Sequence, residues 1–389
     1  MWVERKYSSL IKRIIRQFPV LILTGARQVG KTSLLRKLFP DIHYVALDIP
    51  AVAFQAEKSP EEFFMNNPPP LIIDEVQYAP SIFRYIKHLV DMDREPGKFL
   101  LTGSQNFKLM HNVAESLAGR CAVIEMMGLS FREVKAAFPE KTVREYLFKG
   151  GFPELHARET DAHIWFNSYL ATYLERDVRN LSSVGSLTEF DRFLRCAASR
   201  CAKILSYSDM ARDTGVAPNT IKNWLSIAVT SGQIFLLEPY YRNIGKRLVK
   251  APKLYFSDTG LARFLLGIER IGSVADEPYA GHLFENLIVS EIKRIMNEEG
   301  KTIPMWFFRD TSNREVDIVI EKNGGFMLFE CKTTENPTLE DARNMKYFEE
   351  IYGRKSVKAG YLVCNSPVKY KIKDDIFAIN INHLQEIIK

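Results

Sequence analysis

The feature that most constrains this chain is the run Gly25-Ala-Arg-Gln-Val-Gly-Lys-Thr32. It stands between an apolar segment, Val20–Leu23, and a segment of helical character, Ser33–Leu38. The two glycines of the run allow the backbone to turn its N–H groups inward around a phosphate. Lys31 can reach β- and γ-phosphates, and the Thr32 hydroxyl can ligate Mg²⁺. The run therefore predicts a strand, a phosphate-binding loop and a helix, in the order that a nucleotide site needs.

Further motifs downstream complete a site for nucleotide chemistry. An apolar segment before residue 74 predicts a buried strand that ends in two acids. Asp74 is predicted to hold the water shell of Mg²⁺, and Glu75 to polarise the attacking water. A later strand, Phe99–Thr102, is followed by Gln105, which can sense the γ-phosphate or orient the water. The predicted ATP-binding residues are Gly25, Ala26, Arg27, Gln28, Val29, Gly30, Lys31, Thr32 and Ser33.

These segments resemble the AAA-type ATPases, and more narrowly a bacterial and archaeal family of them. The resemblance implies a doubly wound parallel sheet with ATP at the carboxyl ends of the strands. It also implies Arg120 as an arginine finger that points at the γ-phosphate of its own or a neighbouring subunit. The alternative for Arg120 is a surface arginine that closes a helix. Arg176 or Arg179 is implied as a second sensor of the nucleotide.

Length and composition set the wider limits. The 389 residues with 46% hydrophobic content suggest two or three domains with ample cores. A net charge of +6 is compatible with nucleic acid but does not require it. The five cysteines are scattered and form no C-x-x-C pair, which predicts reduced thiols in the cytoplasm. The apolar runs are too short for a membrane span, and the first amphipathic helix is predicted to pack on the core rather than serve as an anchor.

The middle of the chain predicts a winged helix. Between Tyr207 and Leu225, Ser208 can cap a first helix, Gly215 ends it, and Pro218 suits the first turn of a second. Two strands follow, and the loop between them is basic. Such a loop suits contacts to DNA phosphates, whereas the alternative is a rigid module that docks proteins. The strands are predicted at Ile234–Tyr241 and Lys253–Phe256, and the basic residues are Arg242, Lys246, Arg247, Lys250 and Lys253.

The C-terminal part predicts a β-hairpin that carries charged groups. Its Asn323-Gly324 turn sets a register in which Asp317 lies opposite Glu330, with Cβ atoms roughly 5 Å apart. Lys332 lies on the same face as Glu330. Upstream, a helix predicted at 282–296 turns Glu285 towards its apolar side, and a buried acid needs a partner.

Glu285, Asp317, Glu330 and Lys332 together resemble the restriction-endonuclease-like PD-(D/E)xK superfamily. The resemblance implies that the acids hold Mg²⁺ and that Lys332 is catalytic, because it supports the attacking water. Val316 replaces the proline that usually precedes the first acid. The alternative is a binding module of the same fold that cleaves nothing.

The sequence thus predicts an α/β chain of three parts. These are an AAA-type doubly wound P-loop ATPase domain with a helical lid (1–180), a winged helix-turn-helix domain (181–270) and a nuclease-like domain (271–389), with a hinge at Gly281. The predicted function is an Mg²⁺-dependent ATPase that acts on DNA. The alternative is an ATP-gated signalling or regulatory switch whose C-terminal domains only bind partners. A homo-oligomer or a protein partner is compatible with both.

Overall fold

The computed structural model describes residues 1–103, 116–178, 186–240, 250–275 and 278–389. Within these ranges the strands are β1 Val20–Thr24, β2 His43–Ala46, β3 Leu71–Asp74, β4 Phe99–Thr102, β5 Cys121–Glu125, β6 Lys203–Ile204, β7 Ile234–Leu237, β8 Lys253–Phe256, β9 Met305–Arg309, β10 Glu315–Lys322, β11 Gly325–Cys331, β12 Val357–Val363, β13 Tyr370–Lys373 and β14 Ile376–Ile379. The α-helices are α1 Tyr7–Ile14, α2 Lys31–Leu38, α3 Pro50–Lys58, α4 Pro60–Asn66, α5 Ile82–Met92, α6 Phe131–Ala137, α7 Val143–Lys149, α8 Glu154–Ala157, α9 Ala162–Tyr173, α10 Leu187–Ser199, α11 Tyr207–Thr214, α12 Pro218–Thr230, α13 Thr259–Leu265, α14 Ala280–Glu299, α15 Arg343–Tyr352 and α16 Leu384–Ile388.

The N-terminal sheet is parallel and has the strand order β2-β3-β4-β1-β5. Its central strands are apolar up to their last residue, as expected where helices cover both faces of a sheet. The predicted doubly wound sheet is therefore confirmed. Because β4 lies between β1 and β3, the phosphate-binding loop after β1, Asp74 at the end of β3 and Thr102 at the end of β4 meet at one edge.

The middle of the chain holds two helices and a small antiparallel sheet of order β6-β8-β7. Helix α11 ends at Gly215, which has a φ of +77°, and α12 begins at Pro218, as predicted. The cap of α11 is Ser206, whose hydroxyl accepts from the backbone N–H of Asp209 at 3.3 Å. The prediction of Ser208 as the cap was wrong, since Ser208 already lies inside the helix. The predicted first strand of the wing is shorter than expected, because β7 ends at Leu237.

The C-terminal sheet is mixed and has the order β13-β14-β12-β11-β10-β9. Strands β10 and β11 pair from Lys322↔Gly325 to Ile318↔Phe329, which confirms the predicted hairpin register. The predicted hinge at Gly281 was wrong, because that residue lies in the first turn of α14. The long helix α14 is mostly buried and runs between this sheet and the rest of the chain.

One hydrophobic cluster joins all three parts of the chain and includes Leu23, Trp224 and Phe329. Helix α1 adds Tyr7 and Leu10 to it, which confirms that this amphipathic helix packs on the core. Across the described residues, the helices are too short or too polar to cross a bilayer.

The N-terminal and middle parts also meet at a contact that we call the glycine joint, where the backbone of Gly150 and Gly151 packs against Asp258. Asp258 caps α13 by accepting from the N–H of Leu261 at 2.9 Å, and it also accepts from the N–H of Gly151 at 2.6 Å. A Cβ atom on Gly150 would lie 2.1 Å from a carboxylate oxygen of Asp258. A side chain at position 150 therefore cannot fit without moving this joint.

We expect Gly150→Ala to destabilise the protein by about 2–4 kcal/mol, since a left-handed backbone and an overlap with Asp258 add together. The matched control is Gly215→Ala, because Gly215 has a φ of +77° but nothing within 4 Å of the added Cβ. That control should lose only about 1 kcal/mol. Urea unfolding of both variants measures the difference, and equal losses would show that the joint tolerates a side chain.

Candidate functional site

The backbone of the phosphate-binding loop turns sharply and passes close to other backbone atoms. Gly25, Gln28 and Gly30 have φ values of +139°, +60° and +92°. A Cβ atom on Gly25 would lie 2.1 Å from the carbonyl oxygen of Met126, which follows β5. Gly30 then serves as the N-cap residue of α2, so the positive end of that helix faces the loop. The loop is thus shaped as an anion cradle.

Lys31 lies beside this cradle and is almost fully buried. Its ammonium group donates to the carbonyl oxygens of Gly25 at 3.0 Å and of Ala26 at 2.8 Å. A cation that is held over the loop in this way provides a point charge for β- and γ-phosphates.

Asp74 and Thr32 lie in direct contact. The Thr32 hydroxyl donates to Oδ1 of Asp74 at 2.7 Å, and the hydroxyls of Thr102 and Tyr44 also bind this carboxylate, the latter at Oδ2 and 2.9 Å. Burial and the charge of Asp74 raise the pKa of Tyr44, so the phenol stays protonated as a donor. The two predicted oxygen ligands of Mg²⁺ are therefore brought together and fixed.

Glu75 adopts a left-handed conformation with a φ of +55°, which is uncommon outside glycine and often marks a functional position. Its carboxylate accepts from the side-chain amide of Gln77. Glu75 lines the same cleft as Arg27, Lys31, Thr32 and Thr172 of α9. The predicted water-activating group therefore faces the phosphate-binding loop.

Arg120 lies at the amino-terminal ends of the strands, opposite the carboxyl ends that carry the phosphate-binding loop. It directly precedes β5, and β5 runs parallel to β1 with Val20 opposite Cys121. The length of β5, five residues or about 15 Å, separates Arg120 from the carboxyl ends of the strands, where the loop lies. Its guanidinium binds Asp91 through bonds of 2.6 and 3.0 Å. The alternative in which Arg120 acts on the nucleotide of its own subunit was therefore wrong.

Three predicted residues of this site cannot be placed. Gln105 and Arg179 lie outside the described residues, and so does the side chain of Arg176.

A second group of ionisable residues gathers where α14 meets the C-terminal sheet. The carboxylates of Glu285, Glu315 and Asp317 approach one another within 4.8 Å, and we call this group the acid cluster. Glu315 and Asp317 are two positions apart on β10, so their side chains lie on the same face of the strand. The sequence predicted Glu330 in this group and missed Glu315. The period-two spacing from Asp317 was the available signal for Glu315.

Lys253 supplies the cation of the acid cluster. Its ammonium nitrogen lies 2.8 Å from Glu285, 2.5 Å from Glu315 and 3.9 Å from Asp317, and its side chain is 1% exposed. Burial opposes the charge, but these carboxylates outweigh it and raise the pKa of Lys253. The prediction that Lys253 contacts DNA phosphates was wrong. The reason is that β8 is the central strand of its sheet and turns Lys253 and Tyr255 towards α14.

Glu330 and Lys332 form a separate pair beside the acid cluster. Lys332 donates to Oε1 of Glu330 at 3.2 Å, while Oε2 is buried without a hydrogen-bond partner among the described residues. Burial and the charge of Asp317 raise the pKa of Glu330. Burial and the charge of Glu285 likewise raise the pKa of Asp317 to about 7. These acids repel one another, which limits how many can be ionised at once.

Comparison with known families assigns the class of the N-terminal part. Residues 17–135 match the family described as AAA domain. Residues 140–271 and 280–384 match two domains of unknown function, DUF8612 and DUF4143. The chain therefore carries an AAA-type P-loop ATPase domain, as the sequence predicted.

Whole-chain relatives define the family more narrowly. The uncharacterized proteins Rv2008c of Mycobacterium tuberculosis and Mb2031c of Mycobacterium bovis are each 30% identical over 356 residues, which cover 89% of this chain and 77% of theirs. The chain belongs to the same family as these two proteins. The uncharacterized protein MJ1544 of Methanocaldococcus jannaschii is 23% identical over 77% of this chain and 72% of its own. Among solved structures, the Walker-type ATPase of Pyrococcus abyssi covers 68% of this chain and 96% of its own, with 15% identity and a TM-score of 0.46.

We expect Lys31→Ala to abolish tight ATP binding, because the phosphates lose a charge inside a partly desolvated cradle. Isothermal titration calorimetry of the folded variant measures the affinity. The control is Lys37→Ala on the exposed side of α2, which should bind ATP like the wild type. Unchanged affinity in Lys31→Ala would contradict the assignment of the loop.

Proposed function

We propose that the protein is a Mg²⁺-dependent ATPase that switches conformation with the state of its nucleotide and acts on DNA through its C-terminal half. The observation that carries the ATPase part is the contact between Thr32 and Asp74 at 2.7 Å, with Lys31 and Glu75 in the same cleft. These groups supply, in one place, what phosphoryl transfer needs from a protein: phosphate positioning, metal ligation and orientation of water.

The residues fit a magnesium ion at this edge of the sheet. The oxygens of Thr32 and Asp74 would hold it, and the ion would neutralise charge on the β- and γ-phosphates. Lys31 positions the terminal phosphates from the side of the loop. Glu75 orients the attacking water and accepts its proton on a carboxylate oxygen.

A neighbouring copy can complete the site. Arg120 lies too far from its own nucleotide, and its partner Asp91 holds the guanidinium at the surface of α5. We propose that Arg120 reaches the γ-phosphate of another subunit, which makes the working form a homo-oligomer. The guanidinium would then stabilise the charge of the transition state.

We expect Glu75→Gln to keep ATP bound but to slow hydrolysis by roughly 100-fold or more, the scale of a lost general base. Release of inorganic phosphate at saturating ATP measures the rate. Glu61→Gln, an exposed change in the first turn of α4, is the control and should retain the wild-type rate. Wild-type turnover in Glu75→Gln would move the role to another group, Gln105 first.

The middle part supports the DNA-binding half of the proposal. Helix α12 buries Ile221, Trp224 and Leu225, and it leaves Lys222 and Asn223 exposed, the arrangement of a recognition helix. Lys250 is also exposed, at the end of the basic loop whose residues 241–249 lie outside the described ranges. We propose a winged helix in which these groups contact the phosphates of a duplex.

We expect replacement of both Lys222 and Lys250 by Ala to weaken duplex DNA binding. Each lost phosphate contact should reduce the slope of log K against log salt by about 0.9. Fluorescence anisotropy at several salt concentrations measures this slope. Replacement of both Lys355 and Lys369 by Ala, two exposed lysines of the C-terminal part, is the control of equal charge change and should leave the slope intact. An unchanged slope in the double variant would favour the protein-docking alternative.

The C-terminal sheet keeps the hairpin register expected of a restriction-endonuclease-like domain, and this supports that fold as a proposal. The geometry does not support the Mg²⁺ site that the resemblance implies for this domain. A divalent ion needs free carboxylate oxygens around one position, but Lys253 binds two of the three converging acids there. The residues do not fit a metal ion in this arrangement. The geometry thus favours the alternative in which this domain binds partners, and we derive no cleavage step from it.

A further inference from the structure

Two protein cations, Lys253 and Arg309, bind the acid cluster. Glu285 binds Lys253, and Glu315 binds both Lys253 and Arg309, the latter at 2.9 Å. Asp317 lies 3.9 Å from Lys253 and accepts from the backbone N–H of Cys331 at 2.8 Å. Two of the three converging carboxylates are therefore bound by protein cations, and the third is bound by a backbone N–H.

The cation is held firmly in place. Lys253 belongs to β8, where it pairs with Ile204 of β6 and Leu237 of β7. Its ammonium nitrogen also lies 5.5 Å from the centre of the Phe307 ring. Withdrawal of this side chain from the acids would break the middle of an antiparallel sheet or leave an unpaired charge in the interior, and either is costly.

The partners of Lys253 come from another part of the chain. Glu285 stands on α14, and Glu315 and Asp317 stand on β10 of the C-terminal sheet. Tyr255, also on β8, donates to Glu285 at 2.7 Å, and Asn286 binds the backbone N–H of Phe256 at 2.7 Å. The same contacts that fill the cation position thus fasten the middle part to the C-terminal sheet.

We propose that Lys253 is the resident cation of the acid cluster, that it excludes divalent metal from this position, and that its removal converts the cluster into a divalent-metal site. The inference is independent of the proposed ATPase activity. It gives Lys253 a role that a surface lysine of a DNA-binding wing would not have.

The test compares the full-length wild type with Lys253→Met, free of nucleotide, with and without millimolar Mn²⁺. Thermal unfolding should show a wild type whose melting temperature does not respond to Mn²⁺. Lys253→Met should lose roughly 5 °C or more in chelator, because the three converging acids, two of them buried, lose their nearest cation. Mn²⁺ should restore much of that loss, and electron paramagnetic resonance should count one additional bound ion.

Two further variants separate the effect of the lysine from a general loss of stability. Lys253→Met combined with Asp317→Asn removes one acid with the cation, so the double variant should regain stability in chelator and lose its response to Mn²⁺. Lys355→Met removes an exposed lysine away from the acid cluster, and it should keep the wild-type melting temperature and lack of response to Mn²⁺.

Two outcomes would overturn the proposal. One is a Lys253→Met variant that folds but gains no Mn²⁺ site, whatever its stability in chelator. The other needs only the wild type: binding of Mn²⁺ that Asp317→Asn abolishes would show that the lysine does not exclude metal. This second result is decisive even if Lys253→Met fails to fold. A loss of ATP hydrolysis in any variant does not bear on the outcome, because all readings are taken without nucleotide.

Discussion

The pairing of buried charges along α14 is the constraint on which the rest of the structure depends. This helix places Glu285, Glu291, Arg294 and Glu298 in the interior, where an unpaired charge would cost several kcal/mol. Glu291 and Arg294 pair with each other at 2.8 Å on this helix. The other partners lie elsewhere in the chain: Lys253 binds Glu285, the backbone N–H of Phe131 donates to Glu291, the side chain of Arg132 binds Glu298, and Arg294 donates to the carbonyl oxygen of Ser257 at 2.7 Å. The full set of contacts to these buried charges therefore needs all three parts of the chain.

The same helix gives the nucleotide site a physical connection to the acid cluster. Lys293 of α14 binds Glu125, the last residue of β5, at 3.0 Å. The next residue, Met126, is the one whose carbonyl oxygen packs against Gly25 of the phosphate-binding loop. Helix α14 thus contacts both the strand that precedes Met126 and, through Glu285, the acid cluster.

Local rules predicted some features of this chain and missed others for identifiable reasons. The phosphate-binding loop follows from glycines, Lys31 and Thr32 within eight consecutive residues, and the Asn323-Gly324 turn alone determined the register of β10 and β11. The position of Lys253 depends on a contact between β8 and α14. The alternation of residues along β8 does not reveal this contact. Glu315 was missed although its period-two spacing from Asp317 was visible in the sequence, whereas the distance of Arg120 from its own nucleotide needed the strand order. Features fixed by neighbours in sequence were predictable, whereas those fixed by packing between parts were not.

The shared hydrophobic cluster has a consequence for how such chains can be rearranged in evolution. Three separate families match this sequence, with boundaries near residues 135–140 and 271–280. Those boundaries are the ends of the family matches, but the core crosses them, from Leu23 through Trp224 to Phe329. An exchange of any one segment for that of a distant relative would have to preserve the glycine joint at Asp258 and every charged partner of α14. The three segments therefore pack as one unit rather than as separable modules.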